Sequence, residues 1–275
     1  MNKKKKNKHF RGKQRTSSQQ RDNNNALQLQ KLIINTDNIL SETDEIDRIG
    51  SEVRHALEDN RSRSYLLVGP PGTGKTSLAF QATEKHCPNV LKIDPSIIGK
   101  LSAGELEQFV NTLNPNALIF DDLDRCYSYE DYLLFLFENL KRSCPHITIF
   151  ATANNYTGIS RALRRPGRFD RLIWVENPDY MERARFIAHF SEIKSLKFTL
   201  DYFKEVVTKT RGFSQAYLAE MIYRAIYDAD IKISINGTIK EFKKTLEIYE
   251  DTFEEMPEEE LDKAKIIMYH KQVAK

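Results

Sequence analysis

The stretch Gly69-Pro70-Pro71-Gly72-Thr73-Gly74-Lys75-Thr76 constrains this chain more than any other. An apolar run, Tyr65 to Val68, leads into it, and a segment that reads as a helix, Ser77 to His86, leads out. Glycines at 69 and 74 followed by Lys and Thr fit the spacing G-x-x-x-x-G-K-[ST]. Glycine lets successive backbone N–H groups curl toward phosphate oxygens, and the start of the following helix adds a favourable dipole. Lys75 then reaches the β and γ phosphates, while the Thr76 hydroxyl offers a hard oxygen to Mg²⁺. A plain glycine-rich turn does not account for four fixed positions matched across eight residues between strand and helix. Gly69 through Thr76, with Ser77 behind them, imply a nucleotide-binding site.

The 275 residues allow one large or two modest domains with a buried core. Hydrophobic residues at 40% and charged residues at 29% place the chain among ordinary soluble proteins. No apolar run approaches the ~20 residues that span a bilayer; the longest, Tyr132 to Phe137, is short and flanked by charge. The basic N-terminus lacks the apolar segment of a secretory signal. Cys87, Cys126 and Cys144 are odd in number and without C-x-x-C spacing, which argues against a disulfide framework or zinc site. A cytoplasmic, reducing setting with no membrane partner is expected.

The net charge of +3 conceals an asymmetry. Residues 1–25 hold nine Lys/Arg against Asp22 alone, so a tail of +8 leaves −5 for the rest. With almost nothing to bury, that tail is expected to be disordered. It could hold nucleic acid through counterion release. A merely solvated tail is an equal alternative, since Phe10 is its one aromatic residue.

Residues 26–39 read equally as helix or strand. Ser41 with Asp44 and Glu45 suggests a helix start, and Ile46, Ile49, Val53 and Leu57 recur at helical spacing. A polar break, Asn60 to Ser64, precedes the Tyr65–Val68 strand. Val90 to Ile93 reads as a strand, Ser96 to Lys100 as a loop, and Ser102 with Glu105 as a capping box opening a helix. Ala117-Leu118-Ile119-Phe120 is a continuous apolar strand that delivers Asp121 and Asp122 at its carboxyl end. A helix from Asp131 to Arg142 follows, then a strand from Ile147 to Ala151 that delivers Thr152, Asn154 and Asn155, and a fifth strand from Leu172 to Val175. Alternating strands and helices predict an α/β fold, a parallel five-stranded sheet flanked by helices.

Beyond Asn177-Pro178 only helical periodicity remains. Its stripes are Phe186/Ile187/Phe190/Ile193, Tyr202/Phe203/Val206/Val207, Leu218 through Ala229, and Ile239/Phe242/Leu246/Tyr249/Phe253. All four read as core. The expected division is a tail over 1–25, a nucleotide-binding domain over 26–177, a small all-α lid domain over 178–255 and a charged helical tail over 256–275.

Taken together, the phosphate loop, Asp121-Asp122, Asn154 and the string Ala162-Leu163-Arg164-Arg165-Pro166-Gly167-Arg168-Phe169-Asp170-Arg171 resemble the AAA family of ATPases across about residues 40–250. Gly212-Phe213-Ser214-Gln215-Ala216-Tyr217-Leu218 is similar to the turn that opens a helix of that family's lid. The resemblance implies ATP and Mg²⁺ as ligands, with Thr76 and Asp121 on the metal. It implies that Asp122 and Asn154 handle the attacking water, and that Arg165 and Arg168 serve as fingers reaching a neighbouring subunit's nucleotide. A homo-oligomer, most often a hexameric ring, and remodelling of a protein partner follow from the same resemblance.

Three departures stand out. Asp122 occupies the position of a catalytic Glu, one methylene longer. The pore-loop slot reads Ile97-Ile98-Gly99 and lacks an aromatic. No Arg occupies the sensor-2 slot at Gln215-Ala216, an absence the resemblance makes usual for this branch. Residues 1–40 offer no folded substrate domain, and no protease or second ATPase module is expected. A DNA-associated ATPase recruited by the tail, and an ATP-binding scaffold with weak hydrolysis, are the alternatives.

Overall fold

The structure is a computed structural model, and it describes residues 43–246 apart from Pro166. The basic stretch, the ambiguous segment 26–39, Ser41, Tyr249, Phe253 and the acidic run near the end lie outside the described residues.

Helix α1 (Thr43–Glu58) carries the apolar spacing noted above, with Ile49 and Val53 fully buried. Strand β1 (Arg63–Val68) enters the phosphate loop, and α2 (Lys75–Glu84) leaves it. Then come β2 (Val90–Ile93), α3 (Ala103–Leu113), β3 (Ala117–Phe120), α4 (Glu130–Ser143), β4 (Thr148–Ala153) and β5 (Arg171–Trp174). The strands form one parallel sheet in the order β2-β3-β4-β1-β5. Because all five run the same way, the residues after each carboxyl end share one edge, the edge where open α/β sheets place ligands.

Position in the sheet explains the strand sequences. Central β3 and β4 are buried at every position, as a strand covered on both faces must be. Edge strands β2 and β5 alternate, and β5 leaves Leu172 and Trp174 exposed. One apolar layer packs α3 and α4 under the sheet through Leu106, Val110, Leu136 and Phe137. The other packs α1 and α2 above it through Ile49, Val53, Leu78 and Ala82. Arg171 ties β5 to α1, pairing with Glu45 at 2.9 Å and Glu52 at 2.7 Å.

Several boundaries differ from the sequence reading. Strand β4 continues through Thr152 and Ala153, because the buried Thr152 hydroxyl is hydrogen-bonded and a β-branched side chain suits a strand. The 96–100 loop holds a short 3₁₀ turn, Pro95–Ile97, capped by the Asp94 carboxylate on the Ser96 N–H. A 3₁₀ stretch, Leu123–Tyr129, precedes α4. The Ser102–Glu105 capping box forms as expected.

Past Pro178 lie α5 (Tyr180–Ile193), α6 (Leu200–Lys209), α7 (Gln215–Tyr227) and α8 (Ile231–Thr245). Helix α7 stops before Ala229. Helix α8 starts well before Ile239, because the Asp230 carboxylate caps the N–H groups of Lys232 and Ile233. These helices build their own apolar cluster around Ile187, Phe203, Phe213, Leu218 and Met221. The architecture is a five-stranded parallel sheet with flanking helices followed by a helical region.

Candidate nucleotide site

The phosphate loop owes its shape to three glycines. Gly72 and Gly74 take positive φ values of 78° and 91°, conformations that side chains resist. Gly69 is required for a different reason: a Cβ there would lie 1.8 Å from the Val175 carbonyl oxygen. The Thr73 hydroxyl donates to the Pro70 carbonyl at 2.9 Å and closes the turn. Lys75, nearly buried at the start of α2, donates to the Gly69 carbonyl at 2.8 Å, the Pro70 carbonyl at 2.7 Å and Asn154 Oδ1 at 2.9 Å. Burial pulls its ammonium below lysine's ordinary pKa, and the charges of Asp122, Asp124 and Asp121 oppose that shift.

The acidic side of the site comes from the ends of β3 and β4. Asp121 Oδ1 accepts from the Thr76 hydroxyl at 2.6 Å and the Thr152 hydroxyl at 2.7 Å. Its Oδ2 pairs with Lys92 at 2.6 Å. Burial pushes the Asp121 carboxyl upward, but the hydrogen bonds from Lys92, Thr76 and Thr152 outweigh it, so the carboxylate lies below its usual range. Asp122 adopts a left-handed backbone with φ 46°. Its amide donates to Thr152 Oγ1 at 2.9 Å, and its Oδ1 accepts from Asn154 Nδ2 at 3.1 Å. Arg125 approaches its other oxygen at 3.5 Å.

Sequence reasoning missed Asp124 and Lys92 here, and it placed Thr152 at this edge without giving it a role. Asp124 Oδ2 accepts from the backbone N–H groups of Asn154 and Asn155 at 3.2 and 3.0 Å, fixing the loop that presents Asn154. Thr152 links both acidic residues, and Lys92 neutralises one of them. Only the position of Asp124 just past the acidic pair could have signalled it.

The arginine loop lies between β4 and β5. Arg165 is exposed. Arg168 is held within the chain: Nη2 pairs with Glu138 at 2.6 Å and Nη1 donates to the Ala162 carbonyl at 3.1 Å. Lys141, also on α4, donates to the carbonyls of Gly167 and Arg168 at 3.0 and 2.8 Å. The guanidinium of Arg164 lies 4.4 Å from the Tyr156 ring centre.

A cleft of about 520 Å³ runs from the phosphate loop and the acidic pair to α5 and α7. Phe186 and Phe190, core residues as their spacing predicts, lie beneath it with Ala219 and Tyr223. Their rings stack at 4.5 Å, and each is only 2% exposed. Helix α7 closes on the loop, with the Ala216 N–H donating to the Gly72 carbonyl at 3.0 Å.

The pore-loop slot reads differently in three dimensions. Ile98 is buried in the layer beneath the sheet, and Gly99, φ 83°, abuts the Tyr129 ring. Ile98 is a core residue.

The donors present suit Mg²⁺: a hydroxyl and a carboxylate oxygen 2.6 Å apart beside a phosphate loop. Among the described residues no group of three or more His, Cys, Asp or Glu offers another metal site. No described helix is long and apolar enough to cross a membrane.

Residues 65–177 match the family model described as "ATPase family associated with various cellular activities (AAA)". This stretch is thus similar to the AAA family of P-loop ATPases. Among curated proteins, it is 30% identical over 189 residues to the uncharacterized AAA domain-containing protein ycf46 of Trieres chinensis, covering 61% of this chain and 37% of that protein. It is 26% identical over 231 residues to the proteasome-activating nucleotidase of Saccharolobus solfataricus, covering 74% and 58%. It is 28% identical over 242 residues to the ATP-dependent zinc metalloprotease FtsH 4 of Synechocystis sp., covering 78% and 38%. The matched stretch is thus less than two thirds of each relative's own length.

Proposed function

We propose that this chain binds Mg-ATP in the cleft and hydrolyses it, using the energy to remodel a protein partner. The observation that carries the reading is the line of hydrogen bonds from Lys75 through Asn154 to Asp122, which joins the phosphate loop to two strand ends. Lys75 and the loop N–H groups would hold the β and γ phosphates. Thr76 and Asp121 would hold Mg²⁺, which supplies charge neutralisation on the phosphate oxygens. Asp122 would orient a water toward the γ phosphorus, with Asn154 fixing the carboxylate. The water–phosphorus bond forms as the bridging bond to ADP breaks.

In this reading Arg165 and Arg168 complete the site of an adjacent copy in a homo-oligomeric ring, proposed to be hexameric. The domain division at Pro178, with the following helices as a lid, belongs to the same proposal, as does a cytoplasmic setting, which the three free cysteines favour. Residues 1–25 could add nucleic acid through their charge. Asp122, shorter than Glu and held by Asn154, favours a second reading, a scaffold that binds ATP and turns it over weakly. Calorimetric ATP binding and phosphate release test these readings. Lys75→Ala should abolish binding, and unchanged affinity would refute the nucleotide site. Binding without release, rescued by Asp122→Glu, would establish the scaffold reading instead.

A further inference from the structure

The alternation of strand residues places Lys92 beside the metal ligands. On edge strand β2, Leu91 and Ile93 face the layer of α3 and α4, while Val90 faces that of α1 and α2. Lys92 therefore shares a face with Val90, and it lies opposite Ile119, which faces the same way. Asp121 is the next residue on that face, and Thr152 follows on β4. Helix α2 covers this face and brings Thr76 to it. Sheet geometry thus gathers an ammonium, a carboxylate and two hydroxyls at one point.

A lysine on an edge strand commonly serves to discourage strand addition, with its head in solvent. Lys92 does not fit that role: its side chain is 28% exposed and its Nζ lies 2.6 Å from Asp121 Oδ2. Asp121 Oδ1 is meanwhile shared by Thr76 and Thr152. The carboxylate is thus held on both oxygens and its charge is balanced within the protein. A divalent cation arriving at Thr76 and Asp121 meets a carboxylate already paired with a positive charge.

We propose that Lys92 is a built-in competitor for the divalent cation, so that the Lys92–Asp121 ion pair sets how tightly this site takes Mg²⁺. The inference rests on the nucleotide reading above and deepens it. Lys92 is a positioning residue: it acts on metal through Asp121. Removing its charge strengthens the field of Asp121 at the metal, and a like charge a few ångströms away implies an effect of about tenfold in affinity.

The test titrates Mn²⁺ by electron paramagnetic resonance in the presence of a non-hydrolysable ATP analogue. A fluorescent ATP analogue is first bound in EDTA, and failure of that step would overturn both this inference and the nucleotide reading. With nucleotide bound, Lys92→Met should tighten Mn²⁺ about tenfold, and Lys92→Arg should stay near the parent value. The gain should vanish when Asp121→Asn is combined with Lys92→Met. Lys92→Gln replaces the Met variant if that one does not fold. Unchanged or weaker Mn²⁺ affinity in the uncharged variant would overturn the role of Lys92 and leave the nucleotide reading standing.

Discussion

Asn154 spans Lys75 and Asp122: its Oδ1 accepts from the lysine at 2.9 Å, and its Nδ2 donates to the aspartate at 3.1 Å. A side-chain amide can accept from a cation with its oxygen while donating to an anion with its nitrogen. It aligns the phosphate-binding lysine with the carboxylate proposed to position water.

Replacing Asn154 with Ala should therefore separate binding from chemistry. Nucleotide affinity should fall about fivefold, the worth of one hydrogen bond of ~1 kcal/mol. Turnover should fall about a hundredfold, as for loss of one preorganised donor. Calorimetry and phosphate release measure the two, and intact turnover would remove Asn154 from the proposed mechanism.

The glycines give a graded prediction. Gly69→Ala drives a Cβ into the Val175 carbonyl, a backbone group fixed by β5, so it should destabilise the domain by several kcal/mol. Gly74→Ala meets Gln215 Oε1 at 2.7 Å, the end of a flexible side chain, and adds left-handed strain of about 1–2 kcal/mol. Urea melts should rank Gly69→Ala as clearly the worse. Equal midpoints would mean that the Val175 approach does not limit the loop.

Much of this was legible in the sequence because it obeys local rules. The strands Ala117–Phe120 and Val90–Ile93 fall where the sequence predicts them, and the Ser102–Glu105 box marks its helix. What escaped depends on partners distant in the chain. Lys92 reads as a solvated charge until β2 is set beside β3. Arg168 reads as a free cation until α4 brings Glu138 to it. Thr152 suits a strand by its β-branching, but its hydrogen bond to Asp121 depends on a residue 31 positions away.

The cysteines should be silent in the folded protein. Cys87, Cys126 and Cys144 are free and buried, and burial pushes the Cys87 thiol up to about 11. The thiolate is the reactive form, so at pH 8 little exists even where reagent reaches it. Ellman's reagent should titrate no thiol in native protein and three in denaturant. A fast native reaction would mean that one of these layers opens readily.

The two finger candidates should differ in stability yet agree in turnover. Arg168 pairs with Glu138, whose side chain is 63% exposed, so that ion pair contributes little in water. Its bond to the Ala162 carbonyl adds to this, and Arg168→Ala should cost about 1–2 kcal/mol, lowering Tm by roughly 2–8 °C. Arg165 is exposed, so Arg165→Ala should leave Tm near the parent value. If both serve a neighbouring copy, each variant should bind nucleotide normally and hydrolyse it poorly. Mixing decides the geometry. An Arg165→Ala subunit keeps Asn154, and an Asn154→Ala subunit keeps Arg165, so a mixed assembly contains interfaces with both residues intact. Hydrolysis should recover on mixing two preparations that are each inactive. Absence of recovery, with mixed assemblies verified by mass spectrometry, would place Arg165 in the service of its own subunit and remove the ring from the mechanism.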